Sequence, residues 1–195
     1  MKDYVDSYAA QINGAMEKIE PGQFEKIITI LKDAYKNDKQ IFIAGNGGSA
    51  ASANHFVCDF GKNAVPFSGR KPAWRRFRII SLSDNTEKIT AFGNDISFEE
   101  IFREQLINLM REGDVFIAVS ASGNSPDLVN ACEYAKEKKS PVIVLAGFNG
   151  GKIKQFADAA LVIPLASYEQ IEDLHLIILH MIVYYFKNNP GILEL

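Results

Sequence analysis

Two stretches of the chain repeat one layout, and that layout constrains the fold most. Ile41–Gly45 is an apolar run that breaks at Gly45-Asn46-Gly47-Gly48-Ser49 into a helix-like segment, Ser49 to about Lys62, carrying His55 and Asp59. Asp114–Val119 is a second such run, and it breaks at Ser120-Ala121-Ser122-Gly123-Asn124-Ser125 into the helix-like stretch Pro126–Lys138, with proline where a helix start tolerates it. A strand that turns through glycine and hydroxyl residues into a helix leaves unpaired backbone N–H groups at the helix start, where an anion can sit. Further apolar runs at Phe77–Leu82, Pro141–Ala146 and Ala159–Pro164 alternate with helical patterns at 85–91, 98–110, 152–157 and 169–187. Five strands suited to burial on both faces and joined by helices predict an α/β fold with a doubly wound parallel sheet. Ligands of such sheets lie outside the carboxyl ends of the strands, which is the edge holding both turns.

Ahead of the first strand, Tyr4, Tyr8, Ile12, Met16 and Ile19 recur at helical spacing. Pro21-Gly22 breaks the pattern before Phe24, Ile27, Ile28, Leu31 and Tyr35 resume it. These N-terminal helices, within 1–37, carry no candidate chemistry and are expected to make oligomer contacts, the alternative being that they cover their own sheet. At 195 residues the expectation is one domain, 1–195. The 21 basic and 24 acidic residues give a formal charge of -3, so no global field draws nucleic acid or an anionic membrane. Two cysteines, Cys58 and Cys132, and a start without the apolar core of a signal peptide predict free thiols and a cytoplasmic location. Leu174–Phe186 is about a dozen residues interrupted by His175 and His180, too short for a bilayer and suited to a buried helix.

Gly45-Asn46-Gly47-Gly48-Ser49-Ala50 formally fits a dinucleotide fingerprint, but the acid expected about 20 residues on is missing, the next strand ending only at Asp84. The P-loop lysine is absent too, which disfavours nucleotide hydrolysis. Ser120, Ser122 and Ser125 crowd one turn. Helix capping explains one of them, Ser125 first, whereas three suit a phosphate monoester held without lysine or arginine. His55 and Asp59, four apart on a helix, share a face, as a metal-ligand pair or a base with its orienting partner would. On the last helix Glu172, His175 and His180 interrupt an oily surface and need partners if buried. Glu172 and His180 lie about 12 Å apart along that helix axis, so both meet one ion only by reaching toward each other or across two chains. Arg70, Lys71, Arg75, Arg76 and Arg78 surround Trp74, as a solvated loop first, or as an entrance for a phosphorylated substrate or a subunit contact.

These pieces together resemble the phosphoheptose isomerase family of the sugar isomerase (SIS) fold over nearly the whole chain. The resemblance rests on the glycine turn with His55, Ser83-Asp84, Gly93-Asn94-Asp95, Gly113-Asp114-Val115 leading into the serine turn, Gly150-Gly151-Lys152, and Ile171-Glu172-Asp173-Leu174-His175 ending at His180. It implies a homotetramer, with sites at subunit boundaries, that converts sedoheptulose 7-phosphate into D-glycero-D-manno-heptose 7-phosphate for bacterial surface heptose. By position it implies that Asn46, Gly47, Gly48, Ser49, Asn94, Asp95, Ser120, Ala121, Ser122, Ser125 and Glu172 contact substrate. His55, Asp59, Glu172 and His180 take the metal and acid-base positions, with one zinc per site. The family normally carries glutamate at Asp59, glutamine at Glu172 and threonine at Ala121. Aspartate for glutamate shortens a base by about 1.3–1.5 Å, a displacement that can cost about a hundredfold in rate if nothing shifts to compensate. Glutamate for glutamine adds charge that suits a divalent cation. A second branch of the fold lacks the catalytic side chains and binds the bacterial replication initiator; the carboxylate at 59 and histidine at 180 favour an enzyme over such a scaffold.

Aldose–ketose isomerisation needs a base beside a carbonyl, an acid to return the proton at the neighbouring carbon, and stabilisation of the enediol. The expected roles are Asp59 as base, His180 as partner acid, His55 and Glu172 as a metal or polarising shell, and the serine turn as phosphate anchor.

Overall fold

The computed structural model describes residues 1–65 and 75–194. Helices α1 (Lys2–Met16) and α2 (Pro21–Lys36) precede β1 (Gln40–Gly45), α3 (Gly47–Asn63) and β2 (Arg78–Ser81). Then come α4 (Thr86–Asp95), α5 (Ile101–Leu109), β3 (Val115–Ser120), α6 (Pro126–Glu137), β4 (Val142–Gly147), β5 (Ala159–Ile163) and α7 (Tyr168–Asn188). Short 3-10 turns occupy Phe98–Glu100, Lys152–Phe156 and Pro190–Leu193. The segment expected as one helix over 98–110 is thus a 3-10 turn running into α5, and the expected helix 152–157 is entirely 3-10.

All four strand ladders are parallel, in the order β2-β1-β3-β4-β5. The order reverses between β1 and β3, so the crevice beyond their carboxyl ends is the topological switch point. The glycine turn leaves β1 and the serine turn leaves β3, which places both at that crevice. Strand period two then sorts the core. Ile41, Ile43, Val115, Ile117, Ile143 and Leu145 face α2, α3 and α7. Phe42, Ala44, Phe116, Ala118, Val142 and Val144 face α5 and α6. Every residue of β3 and β4 is buried, as continuous apolar runs require of inner strands.

The two N-terminal helices differ in how much they bury. α2 buries Ile27, Ile28, Leu31, Ala34 and Tyr35 against its own sheet. α1 buries Ala15 alone, and its Tyr8 hydroxyl donates to Asp173 on α7 at 2.6 Å. That bond pushes the Tyr8 hydroxyl up to about 12.

Arg70, Lys71 and Trp74 lie outside the described residues. The described arginines of that basic stretch turn inward onto the chain. Arg75 donates to the Tyr35 and Lys36 carbonyls and Arg76 to those of Gly61 and Lys62. Arg78 donates to Asp38 O at 2.8 Å, and the Asp38 carboxylate lies 3.4 Å from Arg75 and 3.6 Å from Arg78. These carbonyls lie in the last turns of α2 and α3 or, for Asp38, just beyond, where a cation meets the negative end of the helix dipole.

Candidate functional site

The glycine turn is shaped by close approach. Ser83 Oγ accepts from Gly45 N–H at 3.1 Å and donates to Gly45 O at 2.8 Å, clamping the end of β1. A Cβ at Gly45 would strike the Ser49 backbone at 2.8 Å, and one at Gly48 would occupy the space of the Glu172 carboxylate. Asn46 is the N-cap of α3, yet its side chain caps nothing. Its Nδ2 instead donates to Asp127 Oδ2 at 2.8 Å, across to the first turn of α6.

The serine turn is braced from behind. Gly123 (φ 65°) and Gly151 (φ 58°) touch backbone to backbone, leaving no room for side chains. Ile153 N–H donates to Gly123 O at 3.0 Å, Gly147 N–H to Ala121 O at 2.8 Å, and Lys152 N–H to Asn124 Oδ1 at 3.1 Å. Ser120 Oγ accepts from Gly123 N–H at 3.1 Å and Ser122 Oγ from Asn124 N–H at 3.2 Å, so each hydroxyl keeps its own proton for a ligand. Ser125 is the N-cap of α6 but makes no capping bond. The residue that helix capping best explains is therefore not used as a cap.

The two turns meet in a cavity of about 130 Å³. It is lined by Asn46 and Ser49, by Ser120, Ala121, Ser122 and Ser125 with Val119, and by Tyr168 and Glu172 of α7. Among the described residues, no lysine or arginine lines it. Two uncapped helix starts and the serine hydroxyls supply donors in their place.

Along α7 a second constellation joins the same helices. His55 Nε2 lies 2.8 Å from His180 Nε2, and Asp59 Oδ2 lies 3.2 Å from His55 and 3.5 Å from His180. Asp59 Oδ1 accepts from Asn63 Nδ2 at 3.4 Å. Ligand atoms of these three residues converge within 4.8 Å of one another. Three lone-pair-bearing atoms aimed at one point, two imidazole and one carboxylate, are the donor set of a zinc-type site with an open position. The chain therefore presents a possible metal-binding group of His55, Asp59 and His180.

Of the four residues expected as metal ligands, three meet there. Glu172 does not join that group; it lines the cavity of the serine turn, two helical turns away. Asn94 and Asp95 end α4, where Asn94 Nδ2 donates to Asp95 Oδ1 at 2.8 Å, and neither lines the cavity. Gly47 (φ 51°) and Gly48 shape the bend itself.

Two contributors escaped the sequence reading. Tyr168 sits one residue before the expected start of the last helix. Asp127, 1% exposed, reads in sequence as an ordinary first-turn acid. Burial pushes its carboxyl up, while the Asn46 amide and Leu128 N–H pull it back. His175 is fully buried, with neither ring nitrogen in a hydrogen bond. Burial holds it down to about 4, the Ala146 backbone opposing.

Fold and site together define a doubly wound α/β protein with a serine-lined pocket at its switch point and a His/Asp/His group beside it. A SIS domain model matches residues 3–147. A phosphoheptose isomerase from a Nitratiruptor species is 40% identical over 151 residues, 77% of either chain. One from Helicobacter hepaticus is 38% identical over 168 residues, covering 86% of this chain and 82% of its own. The structure of the phosphoheptose isomerase GmhA from Neisseria gonorrhoeae superposes with a TM-score of 0.85 at 29% identity, over 96% of this chain and 98% of that one. The chain belongs to the SIS domain family and, within it, to the phosphoheptose isomerases.

Proposed function

We propose that the protein is the aldose–ketose isomerase converting sedoheptulose 7-phosphate into D-glycero-D-manno-heptose 7-phosphate for bacterial surface heptose. The single observation that carries this reading is the joining of the serine-lined cavity to the His/Asp/His group along one helix, α7. The serine turn holds the phosphate through the hydroxyls of Ser120, Ser122 and Ser125 and the N–H groups opening α6. Phosphate binding is then remote from the reacting carbons and orients them. Glu172 in the cavity and His180 lie about 12 Å apart along the helix axis, a span that suits an extended seven-carbon chain with its phosphate at one end.

Asp59 takes the proton from the carbon beside the carbonyl, and His180 returns one at the neighbouring carbon; an ion held on Nε2 would leave Nδ1 as the nitrogen that carries the proton. Asp59 has two oxygens in different settings: Oδ2 faces the histidines, while the Oδ1 bond to Asn63 is long and easily given up. Zinc suits the donor set, and His55, Asp59 and His180 would hold it; when bound, it would polarise a carbonyl or enediol oxygen. Glu172 adds a carboxylate to the sugar pocket. Asn94 and Asp95, which do not line this chain's cavity, would serve a neighbouring subunit's site. A homotetramer accords with the apolar row Ile177, Met181 and Tyr184 exposed on α7 beside His180. Free Cys58 and Cys132 accord with a cytoplasmic location, and no described helix is long and apolar enough to cross a membrane.

The test is incubation of the zinc-loaded protein with a panel of ketose phosphates in deuterated water, read by proton exchange next to the carbonyl and by product. Sedoheptulose 7-phosphate should turn over, and Asp59→Asn and His180→Ala should each cost at least about a hundredfold in kcat/KM. Intact turnover in both variants would refute the roles. Absent turnover on heptose, hexose and pentose phosphates, with capture of a replication-initiator partner, would favour the scaffold reading.

A further inference from the structure

Asn46 reaches the cavity from the glycine turn, and Asp127 grips it from behind. The Asp127 carboxylate is 1% exposed; Oδ1 accepts from Leu128 N–H at 2.9 Å and Oδ2 from Asn46 Nδ2 at 2.8 Å. An ionised carboxylate offers only acceptors, so Asn46 must turn its NH2 toward it. That leaves Asn46 Oδ1 with no partner among the described residues, on a side chain that lines the cavity. Around it stand donors, namely the Ser120, Ser122 and Ser125 hydroxyls and the N–H groups opening α6, with the Glu172 carboxylate of α7 as a second acceptor. An uncharged acceptor held among phosphate-binding donors calls for a ligand donor beside the phosphate.

We propose that Asp127 is a positioning residue that holds Asn46 as a hydrogen-bond acceptor, so that the cavity selects phosphorylated sugars bearing a free hydroxyl on the carbon next to the phosphoester carbon. The cavity is about 130 Å³, so only the phosphate and its nearest carbons lie within reach of Asn46. The inference rests on the reading of this cavity as the phosphate end of a sugar-phosphate site.

Asp127→Asn inverts the arrangement. Leu128 N–H retains the amide oxygen of the new side chain, which leaves an NH2 facing Asn46. Asn46 then turns its oxygen away from the cavity and its own NH2 into it. The acceptor becomes a donor with little change in shape.

The experiment compares sedoheptulose 7-phosphate with the analogue lacking that hydroxyl, by calorimetric binding and by turnover. It uses the full-length wild type, Asp127→Asn, Asn46→Ala and the double variant. The wild type should favour the hydroxylated ligand about tenfold or more. Asp127→Asn should erase that preference through Kd and KM rather than kcat, and the double variant should match Asn46→Ala, because Asp127 acts through Asn46. Equal binding of the two ligands by the wild type overturns the proposal, as does a preference that survives Asn46→Ala or effects of the two substitutions that add. If Asp127→Asn does not fold, Asn46→Ala alone decides. A preference that follows the phosphate's own ionisation near about pH 6 would assign the acceptor to the phosphate proton and overturn the hydroxyl. A wild type that binds but turns over neither ligand refutes the isomerase reading, and the binding contrast still decides this one.

Discussion

His175 shows how far one side chain's surroundings can depart from what its neighbours in sequence suggest. As an ionisable residue on an oily helix it should find a partner once buried, yet its ring is sealed in the core without a hydrogen bond. Burial favours the neutral imidazole and lowers its pKa from 6.5 to about 4. Between those values the unfolded chain binds a proton that the folded chain refuses. Stability is therefore complete above about pH 6.5 and falls as pH drops toward 4, by on the order of 3 kcal/mol from this residue. Denaturant midpoints at pH 7 and 4.5 should differ more in the wild type than in His175→Leu, and equal acid losses in both would contradict the account. Ser125 carries a related lesson: hydroxyl and helix start are both legible in the sequence, but the missing capping bond is not.

At the scale of elements, α3 and α7 matter most, since one supplies His55 and Asp59 and the other His180. An ion held by all three ties the helices together in the folded state alone. At about a hundredfold excess over Kd, zinc should therefore stabilise by about 2.7 kcal/mol, or roughly 5–10 °C in Tm for a chain of this size. Chelation should reverse the shift, and His180→Ala should abolish it without removing the fold. A melting temperature indifferent to both zinc and chelator in the wild type would argue against the ion. Their common face was visible in part beforehand, because His55 and Asp59 share a helix face by spacing. Glu172 stands apart within this chain for the same reason that spacing works. Eight residues of helix carry it beyond the histidines, so it opens onto the serine turn instead.

For the molecule as a whole, α1 and the outer face of α7 stand out, because helices with apolar side chains in water invite cover. Tyr4, Val5, Ile177, Met181 and Tyr184 are all exposed, and the groove beside Tyr184 measures about 570 Å³. If homotetramer contacts lie there, Met181→Glu with Tyr184→Glu should shift the mass measured by light scattering to a smaller species and lower turnover, since His180 lines the same groove. An unchanged mass would move the interface elsewhere. Strand and helix alternation, the carboxyl-edge position of both turns and the pairing of His55 with Asp59 were determined by the sequence alone, because each follows from local periodicity and short-range spacing. The partnerless burial of His175, the inward turn of Arg75, Arg76 and Arg78, and the hold of Asp127 on Asn46 were decided only by the tertiary structure. Each of those depends on residues far apart in the chain, 81 positions in the last case, and on which side chain reaches a shared space first.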